Sequence, residues 1–546
     1  MGFIEGTDRE QMMMLSYEDM VAEDSMVRLI DRFVDICDLE QLGFKRTEPK
    51  PNGRPAYPAG PMAKLYVYGY ESGIRSSRKI ETEAHRNVEV MWLMKGLKPD
   101  HKTIAEFRRQ NIRPLQKLFR EFVKLCKSWG LIGGELIAVD GTKIKASNNK
   151  KMNFSRKKLD ARLQHIDNQI QEYLIGIEEN DQREEKSTVN VLDKIKELAE
   201  RKKQYEGYVK KLEAKGENEI SLVDPDARLM GNNRGGVDVA YNIQSAVDGQ
   251  HDLIIAFDVS LNPSDQNQLN SMVKKVRYKG RLTKKSFTVL ADKGYYNGAD
   301  LLRLKRQKVT AIVSRQNPSA PVGQPEKFHT ENFTYDPKTD SCTCPMGQVL
   351  QVHNKKSAKR RNFFNKTACA DCPHRKDCTK DDNLYRTVTR NEYSKIYEEA
   401  DKRFLANKEL YKRRQQIVEH PFGTIKHTMH GGYFLLRTRR KVRSEVALLF
   451  LGYDLKRVLK ILGFKEFMRR LESLSHSIFS LFSYFSNLLS NFNFFRNFKH
   501  TKFSFYTVCR PPSYNVATMG SGSPKGKRPR ASLMEQVVPV KWKSKA

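Results

Sequence analysis

The chain has 546 residues, enough for two to four structural units at ~150 residues each and for a full hydrophobic core. Lys and Arg number 98 against 64 Asp and Glu, a formal charge of +34, and 39% of residues are hydrophobic. These values exclude a collagen-like or globally disordered chain, and so large a positive excess points to a polyanion, nucleic acid first, as partner.

Eight cysteines are too few for a disulfide scaffold. The opening MGFIEGTDREQMMML carries neither the basic nor the apolar part of a secretory signal. A cytoplasmic location is therefore expected. The stretch 477–495 lacks charge, but 8 of its 19 residues are Ser or Asn, which is costly in hydrocarbon, so no membrane partner is expected.

Residues 1–130 read as helical. Apolar residues recur at helical spacing in PAGPMAKLYVYGY, and a KPDHKT turn precedes IAEFRRQNIRPLQKLFREFVKLCKSWGLI, with Asp100 or Thr103 as the cap. Helix, turn and basic helix suit a DNA-binding module, although any small helical bundle shows the same pattern. The basic residues Arg75, Arg78, Lys79, Arg108 and Arg109 are read as phosphate contacts.

From 131 to 314 the pattern becomes α/β. ELIAVDGTKIKA is a strand ending in Asp140. Between about 151 and 220, apolar residues step by four and three through Leu159, Leu163, Ile166, Ile170, Tyr173 and Ile177, then again from Val191 to Leu212. That predicts an inserted helical hairpin closing on itself. Beyond it, Asp248-Gly249 joins two β runs, and strand 287–291 ends in Asp292. The order predicts a mixed α/β sheet.

Residues 315–390 are turn-rich and hold five of the eight cysteines. A long helix from Glu392 and an apolar helix from about Val442 complete the α/β unit over 391–465. Residues 466–546 read as a low-complexity basic tail, including GSGSPKGKRPR.

Three acids stand at informative places. Asp140 and Asp292 end buried strands, and Glu419 lies in a basic helix. Carboxylates converging at a sheet edge make a hard, oxygen-rich site for magnesium or manganese. Two such ions activate the attacking oxygen and stabilise the leaving oxygen in phosphoryl transfer. On spacing alone the alternative stays open, with two turn-forming aspartates and one solvated glutamate.

VDGTKIKA at 139–146, LADKGYYN at 290–297 and VEHPFGTIK at 418–426 resemble the three acidic motifs of bacterial insertion-sequence DDE transposases. The group with a cysteine-rich segment before the Glu motif is the most similar. PAGPMAKLYVYGY and KPDHKTIAEFRRQN also resemble that family's helical N-terminal domain. The resemblance implies a ribonuclease H-like catalytic fold with Asp140, Asp292 and Glu419 as ligands of two divalent cations. It implies that Lys426 contacts transposon-end phosphate. It further implies binding of inverted-repeat and target DNA, as a homodimer, in a bacterial cytoplasm beside the nucleoid. The family's Tyr-x2-Arg-x3-Glu element is off by one here, since four residues separate Arg414 from Glu419. Arg437, Arg439 and Arg440 are expected to hold phosphate as well. A catalytically inactive, transposase-derived DNA-binding protein is the alternative reading, and a host nuclease of the same fold would cut without end specificity.

Cys344, Cys369, Cys372 and Cys378 offer four thiols, with Cys369-x2-Cys372 as a zinc half-site. A structural zinc knuckle is expected, against free reduced thiols. Cys342 is spare, and His374 is a possible substitute ligand.

Overall fold

The computed structural model describes residues 10–474, except positions 13, 50–54, 182–187, 233–234, 279, 281, 283, 285, 316–324, 354–359 and 380–383. The expectations for 477–495 and for the basic run near the C-terminus lie outside the described residues.

Six helices come first: α1 (Met26–Asp35), α2 (Ala59–Glu71), α3 (Ser77–Arg86), α4 (Val88–Leu93), α5 (His101–Gln110) and α6 (Ile112–Ser128). Helix α2 is buried along nearly its whole length, which explains why its apolar residues show no single stripe. Asp100 is the cap of α5, its carboxylate accepting from Thr103 N at 2.7 Å. The helix expected to run on from there breaks at Asn111. That fully buried amide accepts from Lys45 N at 2.7 Å and donates to Phe107 O at 3.0 Å.

Strand β1 (Leu136–Lys145) opens the sheet. Strands β2 (Asn153–Ser155) and β3 (Glu219–Ser221) pair as a clamp at the base of the hairpin α7 (Arg156–Asp181) and α8 (Thr188–Lys215). The hairpin closes on itself: Phe154, Leu159 and Leu212 form a small core with Tyr205 and Tyr208, and Lys202 pairs with Asp167 at 2.6 Å. Next come β4 (Arg228–Gly231), β5 (Val237–Asp248), β6 (Ile254–Ser260), α9 (Leu269–Tyr278), β7 (Phe287–Ala291), α10 (Gly298–Arg306) and β8 (Val309–Val313). In space the strands run β4-β5-β1-β7-β8, with β6 also on the outer side of β5. β1 is antiparallel to β5 and parallel to β7, and β7 is parallel to β8, so the sheet is mixed.

The cysteine-rich segment is more than a knuckle. It builds an antiparallel sheet of β9 (Thr334–Asp336), β10 (Ser341–Thr343), β11 (Val349–Val352), β12 (Arg360–Phe364) and β13 (Val388–Asn391). Two short helices, α11 (Lys366–Ala370) and α12 (Arg375–Cys378), lie between the last two strands. It has its own core of Phe333, Cys342, Leu350, Phe363 and Val388, so Cys342 is a packing residue.

The helix expected from Glu392 breaks at Asn407 into α13 (Ser394–Ala406) and α14 (Lys408–Gly423). Pro421 lacks an N–H for the helical ladder, and a π-helical turn, Thr424–Thr428, follows at once. Helix α15 (Arg439–Leu462) is buried through its middle. It joins the N-terminal helices to the sheet in one continuous core, where Phe119 packs at 5.4 Å from Phe257 and 6.3 Å from Phe450. Residues 464–474 are helical, with Phe467 and Leu471 buried in that core, so the packed body extends past the expected boundary at 465.

Two arginines read as phosphate contacts are interior. Arg75 is 3% exposed and pairs with Glu445 of α15 at 2.9 Å, and the Arg108 guanidinium lies over Tyr66. A sequence gives the sign of a charge and not its partner.

Candidate active site

Ala138 pairs with Leu290 and Val139 with Ala291 across the parallel strands β1 and β7. Asp140 and Asp292 therefore follow the last matched positions of two neighbouring strands, which lie about 4.8 Å apart. Apolar runs fix this placement, since each strand is buried up to the residue before its acid. The Asp140 carboxylate accepts from Gly141 N at 2.9 Å, and that of Asp292 accepts from Gly294 N at 2.9 Å.

Burial pushes the Asp140 carboxyl up to about 6; the Arg414 guanidinium opposes the shift, while the charges of Asp292 and Asp265 add to it. Burial likewise raises Asp292, against the Gly294 N–H and Arg414. Arg414 Nη1 on α14 stands 3.7 Å from Asp140 Oδ2. Lys426, on the π turn, donates from Nζ to Thr142 Oγ1; burial lowers its pKa and the charge of Asp140 opposes that.

Glu419 is exposed, and its carboxylate accepts from Gln415 Nε2 at 2.8 Å. Its neighbour His420 faces the other way, with Nδ1 2.9 Å from Tyr453 Oη. Arg437 and Arg440 are exposed. Arg439 is held by the sheet, donating from Nε to Val259 O at 2.7 Å and pairing with Asp258 at 3.6 Å.

The strand expected to end at Asp140 runs on to Lys145, paired there with β5, and only its pairing with β7 stops before the acid. A third acid absent from the sequence reading, Asp265, lies beside the two aspartates. Its Oδ1 accepts from Asn242 Nδ2 at 2.8 Å and Gln244 Nε2 at 2.7 Å, and Tyr295 Oη donates to Gln244 Oε1 at 2.5 Å. One signal was available: Asn242 and Gln244 alternate, on one face, along a strand that is mostly apolar and is buried from Val239 to Asp248. Such a polar stripe needs partners.

The side chains of Cys344, Cys369, Cys372 and Cys378 line one cavity of about 30 Å³. Burial pushes the Cys378 thiol up to about 11, with Arg386 opposing and the other three sulfurs adding to the rise. Gln348 N donates to Cys344 Sγ at 3.3 Å. His374 packs its ring 5.6 Å from Phe328.

Among the described residues, no three His, Cys, Asp or Glu side chains are already gathered at ion-holding distance. The donor chemistry at the two places is nevertheless distinct. Asp140 and Asp292 offer hard anionic oxygens, the charge of Asp292 raising the Asp140 carboxyl, and suit magnesium or manganese, whereas the four sulfurs sharing a cavity are of the type zinc takes.

Two family models match. One, described as Transposase DDE domain, covers residues 343–459, and the other, Transposase domain (DUF772), covers residues 15–110. The first contains Glu419 and Lys426; Asp140 and Asp292 lie between the two matched stretches. No curated protein matches the sequence. Among solved structures, a cryo-EM structure of piggyBac transposase synaptic complex with hairpin DNA is similar at 11% identity over 86% of this chain and 85% of that one. Its TM-score of 0.29 is too low to bear on function. The two matches, to residues 15–110 and 343–459, support the resemblance to the DDE transposases of insertion sequences.

Proposed function

We propose that the chain cleaves transposon-end DNA and joins it to target DNA by direct phosphoryl transfer at Asp140, Asp292 and Glu419. The observation that carries this reading is the pairing of β1 with β7, which brings two acids 152 positions apart to the same end of one sheet. The strand order β5-β1-β7-β8, with β1 antiparallel to β5 and parallel to β7, supports a ribonuclease H-like description of the domain.

Asp140 and Asp292 would hold divalent cations, with Glu419 completing the set. When bound, such cations supply Lewis acidity at the attacking and leaving oxygens. The remaining work belongs to the chain's own residues. Arg414 balances the charge of Asp140, so that two carboxylates can stand close without DNA. Lys426, anchored on Thr142 and within reach of the charge of Asp140, would offer its positive charge to a phosphate held there. Arg437 and Arg440, both exposed at the start of α15, would bind backbone phosphates farther away. In cleavage, a water oxygen bonds to phosphorus, the P–O3′ bond breaks, and a 3′-hydroxyl is released. In joining, that hydroxyl attacks a target phosphodiester and displaces the target's own 3′ oxygen, so one phosphodiester replaces another. Two copies acting on two ends would make both joins. The four thiols would hold a structural zinc that fixes α11 and α12 against the small sheet.

Incubation with end-bearing and scrambled duplexes, with manganese or with chelator, tests the reading. Cation-dependent cutting confined to end-bearing duplexes is expected. Binding to ends without any cutting would favour the inactive DNA-binding alternative. Equal cutting of both duplexes would favour a nonspecific nuclease.

A further inference from the structure

We propose that Asp265 is an additional carboxylate of this acidic site, a residue that none of the three sequence motifs contains. The inference rests on the reading of Asp140 and Asp292 above and deepens it.

Its basis is steric. Both acidic motifs carry a glycine within two residues of the aspartate, Gly141 and Gly294; Asp265 occupies the space a side chain at Gly141 would need and lies in contact range of Gly294. A Cβ on Gly141 would meet Asp265 Oδ1 at 2.5 Å and Gln244 Nε2 at 2.4 Å. A Cβ on Gly294 would lie 3.0 Å from Asp292 Oδ1 and 3.5 Å from Asp265 Oδ2. One carboxylate thus touches the backbone of both motifs, at the same end of the sheet. Neither glycine has a positive φ, and at Gly141 close approach rather than backbone conformation accounts for the missing side chain.

Asp265 is also held in place. Two side-chain amides from β5 bind its Oδ1, and Tyr295, within the second motif's own turn, fixes Gln244 through its hydroxyl. Asn242 and Gln244 are buried, and Tyr295 is fully buried. Among the described residues, no Lys, Arg or His is a hydrogen-bond or ion-pair partner of Asp265, so this network orients its charge without cancelling it. A solvated turn aspartate in the Asn262-Pro263-Ser264-Asp265 loop would need no such support. Bound amides on Oδ1 leave Oδ2, which lies toward Gly294, as the donor for a divalent cation.

The test uses the full chain and manganese alone as probe, with binding read by electron paramagnetic resonance of free Mn²⁺ and joining read separately. Asp265→Asn keeps shape and removes charge. Its manganese affinity should fall by about 10- to 100-fold, the range seen when groups supporting a metal site are removed, with end-DNA binding unchanged. Asn242→Ala leaves every acid in place but frees Asp265, and should weaken manganese several-fold; it also decides the matter if Asp265→Asn does not fold. Unchanged manganese affinity and joining in a folded Asp265→Asn, or in Asn242→Ala where that variant decides, would overturn the proposal. Asp140→Asn run in parallel separates the two claims. If it loses manganese while the Asp265 variant does not, only the role of Asp265 fails. If neither loses it, the reading of the whole site fails.

Discussion

Arg414 Nη1 lies 3.7 Å from Asp140 Oδ2, an ion pair between the helix that carries the third motif and the strand that carries the first. Both side chains are mostly buried, at 18% and 22% exposed, so solvent screens the pair less than it would on the surface. The pair stabilises the ionised form of Asp140. Removing the guanidinium should raise the Asp140 pKa beyond about 6. For Arg414→Ala, the acid limb of the joining rate against pH is expected to move to higher pH, with a smaller move for Arg414→Lys. A profile identical to wild type would show that the pair does not tune the site.

Asp140 also predicts a conflict between function and stability. Its carboxyl is raised from 3.8 to about 6 by burial, so the folded state holds this proton more tightly than the unfolded chain. Between those two values stability falls as pH rises, and above about 6 the folded protein carries the full cost of a buried charge. A shift of two units corresponds to at most ~3 kcal/mol. In chelator at pH 7.5, Asp140→Asn should therefore melt higher than wild type, by roughly a few °C. The gap should close near pH 4. A lower melting temperature for Asp140→Asn at pH 7.5 would contradict the burial argument.

The thiol cavity gives a composition measurement. Elemental analysis of protein purified under reducing conditions should find close to one zinc per chain, released by a mercurial. Cys378→Ser and Cys372→Ser should each hold far less. Cys342→Ser should keep its zinc, because Cys342 belongs to the apolar core and not to the cavity.

The Arg75–Glu445 pair predicts a long-range stability effect. Glu445 is fully buried and also accepts from Leu435 N and Leu436 N, each at 3.1 Å, while Arg75 donates to Tyr433 O at 2.7 Å. The pair therefore fixes the 430–438 loop that leads from Lys426 into α15. Arg75→Ala should cost about 3–5 kcal/mol by leaving a buried carboxylate unpaired. Denaturant unfolding measures it, and a loss under ~1 kcal/mol would place Arg75 among ordinary surface charges.

Some of this was legible in the chain and some was not. β1 and β7 are readable because short Val, Ile and Leu runs, each reaching an acid, mark strands buried on both faces. The α7–α8 hairpin is readable from steps of three and four. The breaks at Asn111 and Asn407 are not, because Asn interrupts no periodicity and the break depends on tertiary partners such as Lys45 N. Asp265 hides for a different reason. It lies in a turn-like loop, where an aspartate needs no further explanation, and its significance arises only when Asn242, Gln244 and Tyr295 converge from two other elements. The burial of Arg75 and Arg108 escapes a one-dimensional reading for the same reason. Glu419 is plain as a motif residue, yet its carboxylate is turned to Gln415 and solvent.

The central claim is that Asp140, within β1, and Asp292, just after β7, form one cation-dependent site for DNA joining. Joining of a labelled end duplex to supercoiled plasmid in manganese, by wild type and by Asp140→Asn and Asp292→Asn, tests it most directly. Each single variant should bind ends as well as wild type and join them more than ~100-fold more slowly, with no further loss in the double variant. Wild-type joining by either single variant would contradict the account.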